Sequence, residues 1–457
     1  MSHFDKKKAK DEEEVSLPFV GLKKGAVIQN VRMFSSPKLN VKECYYLLTK
    51  ILYILNGQGE SFTEDEATAV FIAVTKLFQS QDAGLRRMMF LLLKELGSKS
   101  GETIMAFASL VKDVNSDVEV NRANSIRVIC GLMDSKLLSS TMERYLKQAI
   151  VDREPYVATA ALVAGSHLAS HSMDVVKRWT SEIQEALNSP SVMVQYHALG
   201  LLHRIKSHDR LAVTKLVKTL SRDVLRSHLG HCLLIRYATQ VLEEIGELDA
   251  DLFGYIENCL RHKSEVVVYE AARSICGLRN ITPKDLSAAI SVLQCLLVSS
   301  KPTTRFAAVK TLNKVATRFP SAITSSCMFE MESLITDVNR SIATLAITTL
   351  LKVETESNVD RLMKQISGFI SDIGDEDKLV VVDGITTLSS KYPGKHYTIM
   401  NYLSSMLRSE GGKEYKTALV EAILGIVQKI PEAKETGLEH LCEFIEDCEF
   451  PGLATQV

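Results

Sequence analysis

A period constrains this chain more than any other feature. A short polar turn, often carrying Asp or Pro, precedes an apolar stretch whose anchor residue has a small or apolar residue four places on. Val194-Gln-Tyr-His-Ala198, Val267-Val-Tyr-Glu-Ala271 and Thr304-Arg-Phe-Ala-Ala308 show the pattern most clearly. It continues as Ile342 with Ala346, Val380 with Gly384 and Ala418 with Ala422. Weaker members upstream are Leu85 with Met89, Val120 with Asn124, Val157 with Ala161 and Leu229 with Leu233. Successive anchors lie 35 to 38 residues apart over nine intervals. Two helices of about 15 residues and two short turns fill such a period, which is the arithmetic of an all-α solenoid.

Local chemistry agrees with that arithmetic. A small side chain at anchor plus four lets neighbouring helices approach to about 8–10 Å between axes. Val309, Leu312 and Val315 fall one helical turn apart, Thr349 and Leu350 follow Leu345 by about one turn, and neither set alternates as a strand would. Asp82, Asp117, Asp152, Pro190, Pro302, Asp337 and Asp377 each precede an anchor by two to five residues. Asp caps a helix start and Pro suits its first turn. Val41 to Leu55 reads as one more helix, giving about eleven pairs. At ~10 Å per pair the expectation is a rod or arc on the order of 100 Å long.

Composition narrows the classes. Ten Pro and 23 Gly in 457 residues leave few of the punctuators that an all-β chain needs. Lys plus Arg is 54 and Asp plus Glu is 55, so no basic excess speaks for nucleic acid or for charge-driven membrane binding. The nine cysteines are scattered and form no CxxC, which fits buried thiols in a reducing compartment rather than a zinc site. No run of about 20 apolar residues exists to cross a bilayer. Residues 1–16 are a charged, mixed-sign tail expected to be disordered, and residues 17–457 are expected to form a single trunk. A last apolar stretch, Glu439 to Glu446, has no partner helix after it. The expectation is either a fragment or an end covered by another subunit.

No constellation commits the chain to catalysis. There is no P-loop and no GxGxxG, and Gly57-Gln-Gly59 and Gly411-Gly412 read as inter-helix turns. His167 and His171, four apart on an expected helix, lack a third ligand, and His228 and His231 read the same way. His203 and His208 are expected at a surface turn. No G-x-S-x-G elbow occurs. No catalytic, cofactor-binding or metal residue is assigned, and no cofactor. Trp179, the only Trp, could be a partner hot spot or ordinary packing. Arg86, Arg87, Phe90, Leu93 and Lys94, with Arg122 and Arg127 one repeat on, could form a basic, sticky ridge for a protein partner. The alternative is a set of solvated helix starts and salt bridges.

Long segments carry a resemblance. They include Leu48-Thr-Lys-Ile-Leu-Tyr-Ile-Leu55, Glu143-Arg-Tyr-Leu-Lys-Gln-Ala-Ile-Val-Asp152, Val194-Gln-Tyr-His-Ala-Leu-Gly-Leu-Leu202, Asn339-Arg-Ser-Ile-Ala-Thr-Leu-Ala-Ile-Thr-Thr-Leu-Leu-Lys352 and Leu441-Cys-Glu-Phe-Ile-Glu-Asp-Cys-Glu-Phe450. From about residue 17 to 450 the chain resembles the N-terminal trunk of the coatomer (COPI coat) gamma-subunit family. The resemblance implies a right-handed, HEAT/armadillo-like, adaptin-like trunk with no enzymatic activity. It implies zeta, beta and delta sister subunits, and recruitment to Golgi membranes by a GTP-loaded Arf-family GTPase for retrograde and intra-Golgi transport. Membrane contact would be peripheral and indirect. By analogy with adaptor trunks the GTPase would dock on second helices within about 41 to 130, where the Arg86–Arg127 ridge lies. Val457 falls inside the family's trunk. Rival readings are a clathrin-adaptor large chain, a nuclear transport receptor, and a helical-repeat nucleic-acid glycosylase. The last would need a basic concave face.

Overall fold

The computed structural model describes residues 19, 21–57, 61–100, 102–132, 140–207, 209–221, 225–246, 248–370, 373–446 and 450–454. The charged tail, Gly59, His208 and Cys448 lie outside the described residues. Among those described, every regular element is helical. Each repeat pairs a first helix, often short or broken by a 3-10 turn, with a longer second helix. The second helices are α1 (Val41–Asn56), α2 (Ala83–Gly97), α3 (Glu119–Leu132), α4 (Pro155–Leu168), α5 (Val192–Lys206) and α6 (His228–Ile245). They continue as α7 (Glu265–Gly277), α8 (Pro302–Arg318), α9 (Arg340–Val353), α10 (Asp375–Lys391) and α11 (Lys413–Lys429). From α2 onward their starts recur every 35 to 38 residues, as the anchors do.

Contacts gather into two compact units. One comprises Met1–Leu216 with Arg222–Leu233, the other Val217–Ser221 with Leu234–Val457. In the first unit α1 packs on α2, α2 on α3, α3 on α4 and α4 on α5. In the second, α8 packs on α9, α9 on α10 and α10 on α11. The second helices α1 to α5, α7 to α9 and α11 also pack on the first helix that precedes each, so their apolar faces are buried on two sides. Leu85, Met89, Leu92 and Leu96 of α2 are fully buried, spaced three or four apart.

Helix starts follow elementary capping. Asp82 accepts the Leu85 amide at 2.7 Å. Thr63 with Glu66, and Thr282 with Asp285, form reciprocal capping boxes. Pro155, Pro283 and Pro302 occupy first-turn positions, where their missing N–H costs nothing. Other expected starts shift. Asp377 is already inside α10, whose N-cap is Gly374. Asn339, not Asp337, caps α9. Pro190 stands one residue before the N-cap Ser191.

Small residues bring helices together at Gly384, four places after the Val380 anchor, and also at Gly165, eight places after Val157. A Cβ on Gly165 of α4 would lie 2.8 Å from Leu201 Cδ2 of α5 and 3.2 Å from the Trp179 ring. On Gly384 of α10 it would lie 2.9 Å from Leu351 of α9. Two anchors were misplaced by the repeat pattern. Leu229 and Val380 are exposed, because the first buried apolar side chains are Cys232 in α6 and Val381 in α10. Trp179 settles as packing. It is fully buried at the start of the Thr180–Ala186 helix, and its indole N–H donates to Glu143 at 3.3 Å.

Candidate protein-docking face

Paired arginines at helix starts have two possible destinations, since adjacent residues on a helix point about 100° apart. The first goes inward. Arg86 is 6% exposed. Its guanidinium donates to the Phe78 carbonyl at 2.5 Å, pairs with Asp113 of the next repeat, and lies 5.2 Å over the Phe90 ring. Arg122 repeats the device one unit on, donating to the Ser116 carbonyl at 3.0 Å and to Asp152 at 3.2 Å. Gln195 fills the same place with amide chemistry, donating to the Leu187 carbonyl at 3.2 Å and accepting the Arg226 amide at 3.0 Å. In the second unit Arg305 donates to the Ser299 carbonyl and to Asp337, both at 2.9 Å. Lys416 donates to the Leu407 and Ser409 carbonyls.

This recurring side chain is a clamp. It satisfies carbonyls left open at the end of the preceding first helix and, where an Asp follows, ties one repeat to the next. Burial pushes the Asp113 carboxyl up, and the Arg86 charge only partly opposes that.

The clamp corrects the expected ridge. Arg86, Phe90 and Leu93 are buried, and Arg122 is half-buried with both terminal guanidinium nitrogens engaged. These four therefore cannot form a solvent-facing surface. Arg87 and Lys94 are exposed, with Leu91 between them 47% exposed. They follow one another at i, i+4, i+7, a single face of α2. Arg127 of α3 is half-buried. It donates to Asn124 at 2.8 Å and lies 5.0 Å over the ring of Tyr156.

Lys94 and Arg127 converge on a groove of about 520 Å³ between second helices. Cys130, Val163, His167 and His171 also line it, and among the described residues no carboxylate does. His167 lies on α4, but His171 sits in the turn beyond the helix end, so the two are not a helical i, i+4 pair. The Cys130 thiol is pushed up to about 11 by burial and lies 3.5 Å from the Ala164 carbonyl, so at neutral pH it is a packed thiol rather than a nucleophile. Among the described residues no group of three or more His, Cys, Asp or Glu side chains is placed to hold a metal ion. None of the described helices is long and apolar enough to cross a membrane.

Sequence reasoning missed Leu91, Tyr156 and Val163. The available signal was their position. Leu91 and Tyr156 are large side chains where the helical period points to solvent, and Val163 is half-buried beside the groove. What the face offers is cations, exposed apolar surface and an aromatic ring on rigid helices, the composition of a protein-docking surface.

Comparison with known proteins follows the same line. Residues 23–457 match the family described as Adaptin N terminal region. The chain is 56% identical over 451 residues to coatomer subunit gamma-2 of Oryza sativa subsp. japonica, covering 98% of this chain and 50% of that protein. It is 51% identical over 460 residues to coatomer subunit gamma-1 of Homo sapiens, covering 100% of this chain and 52% of that protein. The chain thus spans about half the length of the curated relatives it matches. Two solved folds are similar at low identity. One is a chain of a homology model of the full-length AP-3 complex (TM-score 0.53, 14% identity, covering 93% of this chain and 75% of that one). The other belongs to a Kap95p complex with RanGDP (TM-score 0.54, 10% identity, covering 92% and 58%). Both show the helical-repeat fold alone.

Proposed function

The chain belongs to the adaptin N-terminal family and is homologous to coatomer gamma subunits, and from that premise we propose that it is trunk scaffold of a COPI-type vesicle coat. Its role is structural, not enzymatic. It works in the cytoplasm, peripheral on Golgi membranes, in retrograde and intra-Golgi transport, and it assembles with zeta, beta and delta subunits. Recruitment runs through a GTP-loaded Arf-family GTPase on the second helices of the first unit. An active GTPase shows an apolar switch surface, which needs apolar and polar groups held on a rigid support. GTP supplies the difference in affinity between states.

The observation that carries the docking reading is the exposed row Arg87, Leu91 and Lys94 beside Arg127, since Arg86 and Phe90 are spent inside. The test is a pull-down of the chain with an Arf-family GTPase, loaded with a GTP analogue or with GDP. The triple variant Arg87→Glu, Lys94→Glu, Arg127→Glu runs alongside. GTP-selective capture that the variant loses supports both role and face. Capture that survives moves the site elsewhere. No capture in either state, with the chain folded by circular dichroism and co-expressed with its small subunit, removes the recruitment mechanism.

A further inference from the structure

The groove beside Lys94 and Arg127 is a depression built from three successive repeats, since α2 packs on α3 and α3 on α4. Its floor is low because the residues there are small. Gly131 of α3 and Ala160 of α4 line it, and a Cβ on Gly131 would stand 3.4 Å from the Lys94 stem. Val163 gives the floor an aliphatic surface. A volume of about 520 Å³ falls in the range of roughly 300–1,000 Å³ typical of ligand sites.

The rim is cationic and uncompensated. Lys94, His167 and His171 are exposed, and among the described residues their side chains have neither an ion pair nor a hydrogen bond. Arg127 is held by Asn124 and the Tyr156 ring, neither of which carries charge. The inward arginines of the same two helices differ, since Arg86 is matched by Asp113 and Arg122 by Asp152. Two cations and two imidazoles, each with an N–H to donate, therefore surround an apolar floor. Their complement is a carboxylate beside an aliphatic side chain. Helix axes packed at about 8–10 Å put α2 and α4 roughly 16–20 Å apart, which an extended chain crosses in about five to six residues. Alternate side chains of such a chain point opposite ways, so aliphatic groups can face the floor while carboxylates reach the rim.

We propose that this groove takes an acidic, aliphatic peptide segment of a partner protein, lying extended across α2, α3 and α4 with its aliphatic side chains on Val163 and its carboxylates on Lys94 and Arg127. Exposed ion pairs are individually weak, so the apolar contact holds the segment and the charges choose it. A basic segment is turned away by like charge. Lys94 and Arg127 also belong to the GTPase face proposed above, so segment and GTPase should exclude one another. That consequence rests on the GTPase reading; the groove contact does not.

The test uses the full chain without any GTPase. An acetylated, amidated hexapeptide of alternating Glu and Leu is titrated by calorimetry at low salt, beside one control with Gln for every Glu and another with Ser for every Leu. Saturable binding of the first is expected, with both controls at least about fivefold weaker. Lys94→Gln, at an exposed side chain, should weaken binding roughly two- to fivefold, as for one exposed ion pair. Val163→Glu sets a carboxylate in the groove and should abolish binding with the circular dichroism unchanged. Bound peptide should also protect Lys94 from acetylation while leaving exposed Lys42 on α1 reactive. No binding overturns the proposal, as does binding that neither substitution alters. A Ser control that binds as tightly as the parent overturns it in favour of simple attraction to cations. Octanoate that displaces the peptide at equal concentration overturns a peptide occupant in favour of a small aliphatic acid. GTPase capture is measured separately. Peptide binding that does not compete with it leaves the groove standing and moves the GTPase face elsewhere.

Discussion

Arg86→Met is the substitution that most directly weighs the repeat clamp. It keeps the stem and removes the charge. Three interactions go with it: the bond to the Phe78 carbonyl, the pair with Asp113, and the cation over Phe78 and Phe90. The Asp113 side chain is 13% exposed and would be left without its cation. Breaking a buried pair from one side costs about 3–5 kcal/mol. Two effects lower that figure. Burial already raises the Asp113 pKa, so taking up a proton costs less there than at an ordinary carboxyl, and a thioether suits the two Phe rings. We expect about 2–3 kcal/mol. The neighbouring Arg87→Met should cost less than about 0.5 kcal/mol, being exposed and outside the clamp. Denaturant unfolding with hydrogen exchange on α2 and the Phe107–Val114 helix measures both. Exchange matters because a repeat array can lose one interface without global unfolding. A double-mutant cycle with Asp113→Asn should give a coupling of about 1–2 kcal/mol. Equal effects of Arg86→Met and Arg87→Met, or no coupling to Asp113, would refute the clamp.

Three further outcomes are expected. Gly165→Val should crowd Leu201 and the Trp179 ring, costing about 1–3 kcal/mol, and because Trp179 is the only Trp, its emission should report the shift directly. Burial pushes Glu270 up, but Arg236 at 2.6 Å and Arg273 together outweigh burial, so its folded pKa is lowered. Its stabilising share is then present above the unfolded carboxylate value near 4.3 and lost as pH falls through the folded one. Glu270→Gln should flatten the acid limb of the second unit's stability, and an unchanged limb would remove Glu270 from it. Thiol labelling of the native chain should reach exposed Cys295 and Cys442 quickly. It should spare Cys276 and Cys327, whose thiols burial pushes up to about 12. Fast reaction at Cys327 would mean that the Ser325–Ser333 helix opens readily.

Helix type, repeat length and repeat number were legible in the residues, because each depends on interactions only a few positions apart. Capping at Asp82, the prolines at 155 and 302, and the three-to-four spacing of Leu85, Met89 and Leu92 are local and need no neighbour. The register of each repeat was less legible. Leu229 and Val380 look as apolar as any anchor, and only the position of the adjacent helix leaves them in solvent. The docking face was legible only in part. Arg86 and Arg87 are chemically identical and adjacent. The Phe78 carbonyl, eight residues back, and Asp113, 27 residues on, draw the first inward. Nothing in the sequence orders those three groups in space. The groove is more remote still, since Lys94, Arg127 and His167 come from three helices and meet through helix stacking alone. A periodic chain states its own local rule in every repeat. Which side chains a stacked neighbour covers, and which it leaves for a partner, depends on contacts that form only once the repeats are assembled.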